Sequence, residues 1–189
     1  QTGYETVSTE VFAKMADTQT PQGILTVLEQ PVYDLTQLLE QPDPLFLMLE
    51  NLQDPGNLGT MIRTGEGAGI TGVIMNNQTV DIFNPKTIRA TMGSIFRVPF
   101  VYVPDLALVL EQMHAKGIYT YAAHLKGQEY YDSFSFREPT AFLIGNEGNG
   151  LSKEISDQAG QYLKIPMEGR VESLNASIAA ALLMYEAHR

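Results

Sequence analysis

A chain of 189 residues suits one domain with a short appendage, and 44% apolar residues can bury a sizeable core. The absence of cysteine excludes disulfides, thiolate metal sites and cysteine nucleophiles, and goes with a reducing, cytoplasmic setting. The net charge of −10, concentrated in residues 1–50 as eight acids against the single base Lys14, argues against a nucleic-acid surface, which is usually basic.

Residues 1–20 are polar, with an amphipathic patch at Val11 to Met15, and read as a linker that ends in a short helix. Gly23 to Glu29 (GILTVLE) is rich in β-formers and predicts a strand. Pro31 to Glu40 suits a short helix, and Leu45 to Glu50 (LFLMLE) a buried strand. After the turn Asn51 to Asn57, the spacing of Leu58, Met61, Ile62 and Gly65 predicts a helix, stopped by Gly67 and Gly69. Thr71 to Asn76 follows as a strand, and Asn84 to Met92 as a helix with Pro85 in its first turn. Phe96 to Val103 contains a strand broken by Pro99. Asp105 caps a helix that runs to about Lys116, and Ile118 to Ala123 is a strand. His124 to Glu138 is aromatic and irregular. Two strand–loop units follow: Ala141 to Ile144 leads into Gly145-Asn146-Glu147-Gly148-Asn149-Gly150, and Tyr162 to Ile165 leads into the loop that ends Ser173-Leu174-Asn175. An alanine-rich helix closes the chain. Strands alternate with helices, so the fold class is α/β with a mainly parallel sheet flanked by helices. Two strands that each end in a Gly-rich, hydrogen-bonding loop describe a ligand site at the carboxyl edge of such a sheet.

Several motifs have a plainer reading. Gly67 to Gly72 matches G-x-G-x-x-G, but its glycines close a helix and lead into a strand, the reverse of a dinucleotide fingerprint. Asn57, at a helix start, reads as an N-cap. Arg63 lies opposite the apolar stripe and reads as a solvated arginine, although a helix start beside a guanidinium would suit a phosphate. Glu147 reads as a turn glutamate bonding the amides of the next helix, and Ser173 and Asn175 as caps. The last helix is apolar nearly all round and needs cover on both sides, which favours a subunit interface. His114, His124 and His188 are scattered without metal-ligand spacing, so no metal site is expected. No membrane span and no leader pattern is legible.

Three blocks taken together resemble the SpoU/TrmH family of RNA ribose 2'-O-methyltransferases, of the SPOUT class. Asn51-Leu52-Gln53-Asp54-Pro55-Gly56-Asn57-Leu58-Gly59-Thr60-Met61-Ile62-Arg63-Thr64 is similar to the first motif. Leu143 to Leu151 is similar to the second. Ile165-Pro166-Met167 with Val171 to Ala179 is similar to the third. Arg89 to Pro99 resembles the segment between the first two. The resemblance spans roughly residues 20–187. It implies a deep trefoil knot at the carboxyl end, a homodimer and S-adenosylmethionine held by the knot loops. By motif position it implies cofactor contacts at Gly145, Ile165 and Leu174, with Met167 and Ala123 lining the same pocket. It implies Arg63 as the catalytic arginine, with Asn57, Glu147, Ser173 and Asn175 completing the active site. Arg63, Lys86, Arg89, Arg97 and Arg170 are the candidates for an RNA patch that answers the acidic balance.

Residue 1 is Gln, and many members of the family it resembles carry an amino-terminal RNA-binding domain joined by a linker. Residues 1–20 are therefore expected to be a linker from such a domain, and residues 21–189 the catalytic domain. The resemblance implies methyl transfer to a ribose 2'-hydroxyl, with ribosomal RNA of the large subunit favoured over transfer RNA. The alternatives are a non-catalytic RNA-binding or assembly factor of the same fold, and a nucleotide-binding oxidoreductase, which the reversed glycine context disfavours.

Overall fold

The computed structural model describes residues 3–16 and 18–189. Two compact units divide the chain, Gln1–Pro31 and Val32–Arg189. In the first, α1 (Thr9–Met15) is capped by the Ser8 hydroxyl, which accepts the Val11 N–H at 3.3 Å. Positions 1, 2 and 17 of the expected linker lie outside the described residues. The strand expected at Gly23 to Glu29 does not form. Ile24 is 82% and Val27 87% exposed. A preference for β-structure is a preference for a pleated, half-buried surface, and this segment pairs with no strand among the described residues.

The second unit is built on seven parallel strands: β1 (Leu45–Leu49), β2 (Gly72–Asn76), β3 (Phe100–Val103), β4 (Tyr119–Ala123), β5 (Glu129–Tyr130), β6 (Thr140–Ile144) and β7 (Gln161–Lys164). Their order across the sheet is β3-β2-β1-β6-β4-β7-β5, and every pair is parallel. The helices are α2 (Leu35–Leu39), α3 (Pro55–Ala68), α4 (Pro85–Thr91), α5 (Leu106–Ala115), α6 (Lys153–Gln158) and α7 (Ala176–His188). The period-2 alternation of strand side chains sorts the central strands between two cores. Leu47, Leu49, Phe142 and Ile144 join α3 and α7 on one face. Phe46, Met48, Ala141 and Leu143 join α2, α5 and α6 on the other. Burial on both faces is why these strands read as continuous apolar runs rather than alternating ones.

Gly69 ends α3 in the left-handed conformation at φ 76°, and Gly72 opens β2, so the G-x-G-x-x-G match is a helix stop. α7 buries Ser177, Ala180, Leu183 and Met184 and leaves Ile178 and Tyr185 exposed. Because all strands are parallel, the turns after β1, β4, β6 and β7 emerge along one edge of the sheet, where candidate residues from separate loops meet.

Candidate active site

The turn after β1 sets the start of α3. Asp54 is the N-cap and accepts the Asn57 N–H at 2.8 Å, with Pro55 in the first turn, where its fixed φ suits a helix start. Asn57 is therefore not the cap, as the sequence suggested. It lies inside the first turn, and its amide is free for other partners. The Asn57 N–H, followed by Lys86 at 3.2 Å, holds the Asp54 carboxyl below its usual range.

Glu147 comes from the loop after β6. Its partners are not the amides of the following helix but groups 90 to 94 positions earlier. One carboxylate oxygen accepts the Gln53 N–H at 3.0 Å; the other accepts the Asp54 N–H at 2.9 Å and the Asn57 side-chain N–H at 3.0 Å. Partial burial pushes this carboxyl up, but the Asn57 amide and the two backbone N–H groups outweigh it, and the net shift is downward. The Asn57 side-chain oxygen in turn accepts from the Asn175 amide at 3.0 Å. Asn175 caps α7, its oxygen accepting the Ser177 N–H at 2.9 Å and the Ser177 hydroxyl at 2.7 Å. One chain of hydrogen bonds thus runs Glu147–Asn57–Asn175 and ties the turn after β1, the loop after β6 and the start of α7.

Two residues that the sequence reading passed over brace the same loops. Asn146 donates to the Asn51 carbonyl at 2.9 Å while its oxygen accepts the Gly148 and Asn149 N–H groups, folding the loop on itself. Buried Glu50 accepts the Ser152 N–H at 2.7 Å. An Asn two places before a Gly, and an acid ending an apolar strand, were the available signals.

Beneath this brace lies a cleft of about 350 Å3, within the usual range for a small-molecule site. Gly145, Ile165, Leu174, Met167 and Ala123 all line it, as do Glu147 and Ser173. His124, Leu125, Lys164 and Glu172 line it too and were not singled out from sequence. His124 is stacked on Tyr162 at 4.9 Å, and its Nδ1 accepts the Lys126 N–H at 3.0 Å. A Cβ on Gly145 would collide with the backbone of Gly150 and Leu151, so only glycine lets the loop after β6 close back on itself at the cleft wall. The lining fits S-adenosylmethionine: the apolar side chains of Ala123, Ile144, Leu163, Ile165, Met167 and Leu174, and the Glu172 carboxylate for a cationic ligand.

Arg63 does not line the cleft. It stands four residues after Gly59 and three before Glu66, on the face of α3 that those two residues share. Gly59 meets Ala90 and Thr87 of α4, and Glu66 bonds Arg97. Arg63 therefore lies on the side of α3 turned toward α4, exposed, with no ion pair among the described residues. Of the other expected RNA contacts, Lys86 pairs with Asp54 and Arg97 with Glu66. The Arg97 guanidinium, aided by Ser94, pulls the Glu66 carboxyl down to about 2. Arg89 and Arg170 are exposed and unpaired among the described residues. Among the described residues no cluster of three or more His, Cys, Asp or Glu groups could hold a metal, and no helix is long and apolar enough to cross a membrane.

Comparison with known proteins agrees with this geometry. Residues 44–185 match the model of the SpoU rRNA Methylase family. The 23S rRNA (guanosine(2553)-2'-O)-methyltransferase RlmP of Bacillus subtilis is 35% identical over 179 residues, 95% of this chain and 70% of that protein. The crystal structure of an AdoMet-bound rRNA methyltransferase from Sinorhizobium meliloti superposes with a TM-score of 0.88 at 34% identity, covering 95% of this chain and 69% of that one. The AdoMet complex of the SpoU methyltransferase AviRb from Streptomyces viridochromogenes gives 0.77 at 33% identity, covering 84% of this chain and 62% of that one. The chain belongs to the SpoU rRNA methylase family, S-adenosylmethionine-dependent RNA methyltransferases of the SPOUT fold.

Proposed function

We propose that this chain moves a methyl group from S-adenosylmethionine to a ribose 2'-hydroxyl of RNA, and that its substrate is large-subunit ribosomal RNA. The observation that carries the reading is the braced cleft. Loops from three separate strands meet at the cleft, joined by the Glu147–Asn57–Asn175 bonds. The activity of the B. subtilis relative, 2'-O-methylation of a guanosine of 23S rRNA, supports the 2'-hydroxyl and the ribosomal substrate. A cytoplasmic location goes with that substrate. The deep trefoil knot of the family goes with the same reading; it is supported by the order β1-β6-β4-β7 and by α7 returning to pack on α3. Pairing of two chains is supported by Ile178 and Tyr185, left exposed on the outer face of α7.

The chemistry asks mainly for position. Bound S-adenosylmethionine supplies a methyl on a sulfonium, already a good leaving group. Bound in this cleft, it would supply a methyl that leaves sulfur as the bond to the ribose oxygen forms, and the hydroxyl proton would pass to solvent. Gly145, Ile165 and Leu174, which line the cleft, would hold the donor through backbone groups, while Met167 and Ala123 would close the pocket around it. Holding nucleophile and methyl in line supplies on the order of 7–11 kcal/mol. A guanidinium, with a pKa above about 12, is a poor base. Arg63, outside the cleft, instead grips the phosphate next to the target ribose and lowers the cost of ionising its hydroxyl. Ser173, at the cleft wall, contacts the target ribose.

Arg63→Lys tests this role, because lysine keeps the charge and loses the two-pronged fork. Methyl transfer should fall roughly 10- to 100-fold, as a small misplacement of the reacting groups does, with donor affinity by calorimetry unchanged. Turnover near the wild-type value would remove phosphate gripping as the essential role. Calorimetry of the same chain with NAD should give no heat of binding; a NAD complex would restore the oxidoreductase reading.

A further inference from the structure

Beside the braced cleft, the segment from α4 to the 3-10 turn at Ser94–Phe96 presents apolar side chains that neither core uses. Met92 is 70% exposed and Phe96 60%. Both are mounted rigidly. Gly59 lets α4 approach α3 closely, Thr87, Thr91, Ser94 and Ile95 are buried beneath the surface, and the Thr91 hydroxyl bonds the Ile88 carbonyl at 2.7 Å. Met92 caps α4 with φ 51°, a left-handed conformation that is strained for a non-glycine residue. Arg97 anchors the far end to Glu66. Two guanidiniums adjoin the apolar pair without an acidic partner among the described residues: Arg89, one helical turn before Met92, and Arg63, on the face of α3 turned toward α4. At its other end α4 begins beside the active-site brace, where Lys86 meets Asp54.

We propose that Phe96 and Met92, flanked by Arg89 and Arg63, form a stacking platform for single-stranded RNA. An unpaired base next to the target nucleotide lies on the Phe96 ring, Met92 covers its edge, and the two guanidiniums take adjoining phosphates. The proposal rests on the reading of the chain as an RNA methyltransferase. Charge decides for RNA over a second copy of the chain. A two-fold interface through this surface would set unpaired guanidiniums of the two chains against each other, whereas a polynucleotide brings a phosphate for each. An aromatic ring beside arginines, on a molecule otherwise strongly acidic, is the arrangement in which bases stack without sequence-specific bonds.

The test is fluorescence anisotropy of the full chain with a fluorescein-labelled, mixed-sequence 12-nucleotide RNA, single-stranded and annealed to its complement, across a salt series. Phe96→Ala and Phe96→Leu should weaken single-strand binding about 5- to 100-fold, and Phe96→Tyr should restore it. Arg89→Gln should lower the salt slope by about 0.7. The thermal midpoint and the S-adenosylmethionine affinity of every variant should match the wild type. Equal single-strand affinity of wild type, Phe96→Ala and Phe96→Leu would overturn the platform while leaving the enzyme reading intact. A lower molecular mass of Phe96→Ala in light scattering, with unchanged RNA affinity, would overturn it in favour of a second copy. A wild-type chain that binds S-adenosylmethionine but neither RNA would overturn the platform and the RNA substrate together.

Discussion

Glu147 shows how a residue's position can be read while its task is not. A carboxylate in a candidate active-site loop invites an acid–base role, yet both its oxygens are taken by N–H donors from the turn before α3 and from Asn57 in its first turn. Its net downward shift comes from those donors outweighing burial. We assign it the task of holding Asn57 and the two loops in register. The sign of the pH dependence follows. With its folded value below its unfolded value near 4.3, the tie is at full strength above that value and is lost as pH falls through the lower, folded one. Glu147→Gln should therefore lower stability by about 1 kcal/mol at pH 7, since water reaches this site and replaces part of the lost bonding. That corresponds to roughly 2–4 °C in Tm for a chain of this size. The gap between variant and wild type should be constant above about pH 5.5 and close as pH drops below the carboxylate range. A gap that persists in acid would show that the charge is not what holds the loops.

At the scale of elements, the cleft depends on three segments meeting. Asn175→Ala removes both the cap of α7 and the bond to Asn57, and should cost about 0.5–2 kcal/mol in thermal unfolding together with a weaker donor complex. Gly145→Ala should abolish calorimetric binding of S-adenosylmethionine, because its methyl would occupy the backbone of the returning loop; normal affinity would mean that the loop is not the cleft wall. The order of α and β elements could be read from the sequence because most are long enough to show a period and carry a cap or a glycine stop. What escaped was short. β5 is two exposed residues with no alternation to detect, and α6 is six residues with only Ile155 and Ser156 buried. Gly23 to Glu29 misled in the other direction, since composition favours a strand but supplies no partner for it. The site was legible only as motifs. The bonds that assemble it join residues 90 to 118 positions apart, and no local spacing encodes such a contact. For the same reason, the placement of Arg63 toward α4 rather than into the cleft needed the packing of α3.

At the scale of the molecule, the fold places the candidate site along one edge of a parallel sheet, in a chain of net charge −10. Several of its scattered bases are already neutralised: Lys86 by Asp54, Lys116 by Glu40, Lys153 by Asp157. The bases left exposed near the cleft are therefore the ones that can meet a polyanion, and net charge alone misjudges the surface. The measurement that reaches the central claim is transfer of the tritiated methyl of S-adenosylmethionine by this chain to unmodified 23S ribosomal RNA, followed by digestion to nucleosides and mass spectrometry. The account predicts label in a 2'-O-methylated ribonucleoside, strongly reduced with Arg63→Lys and absent with Gly145→Ala. Label on a base, or no transfer to RNA from a chain that binds the donor normally, would contradict it.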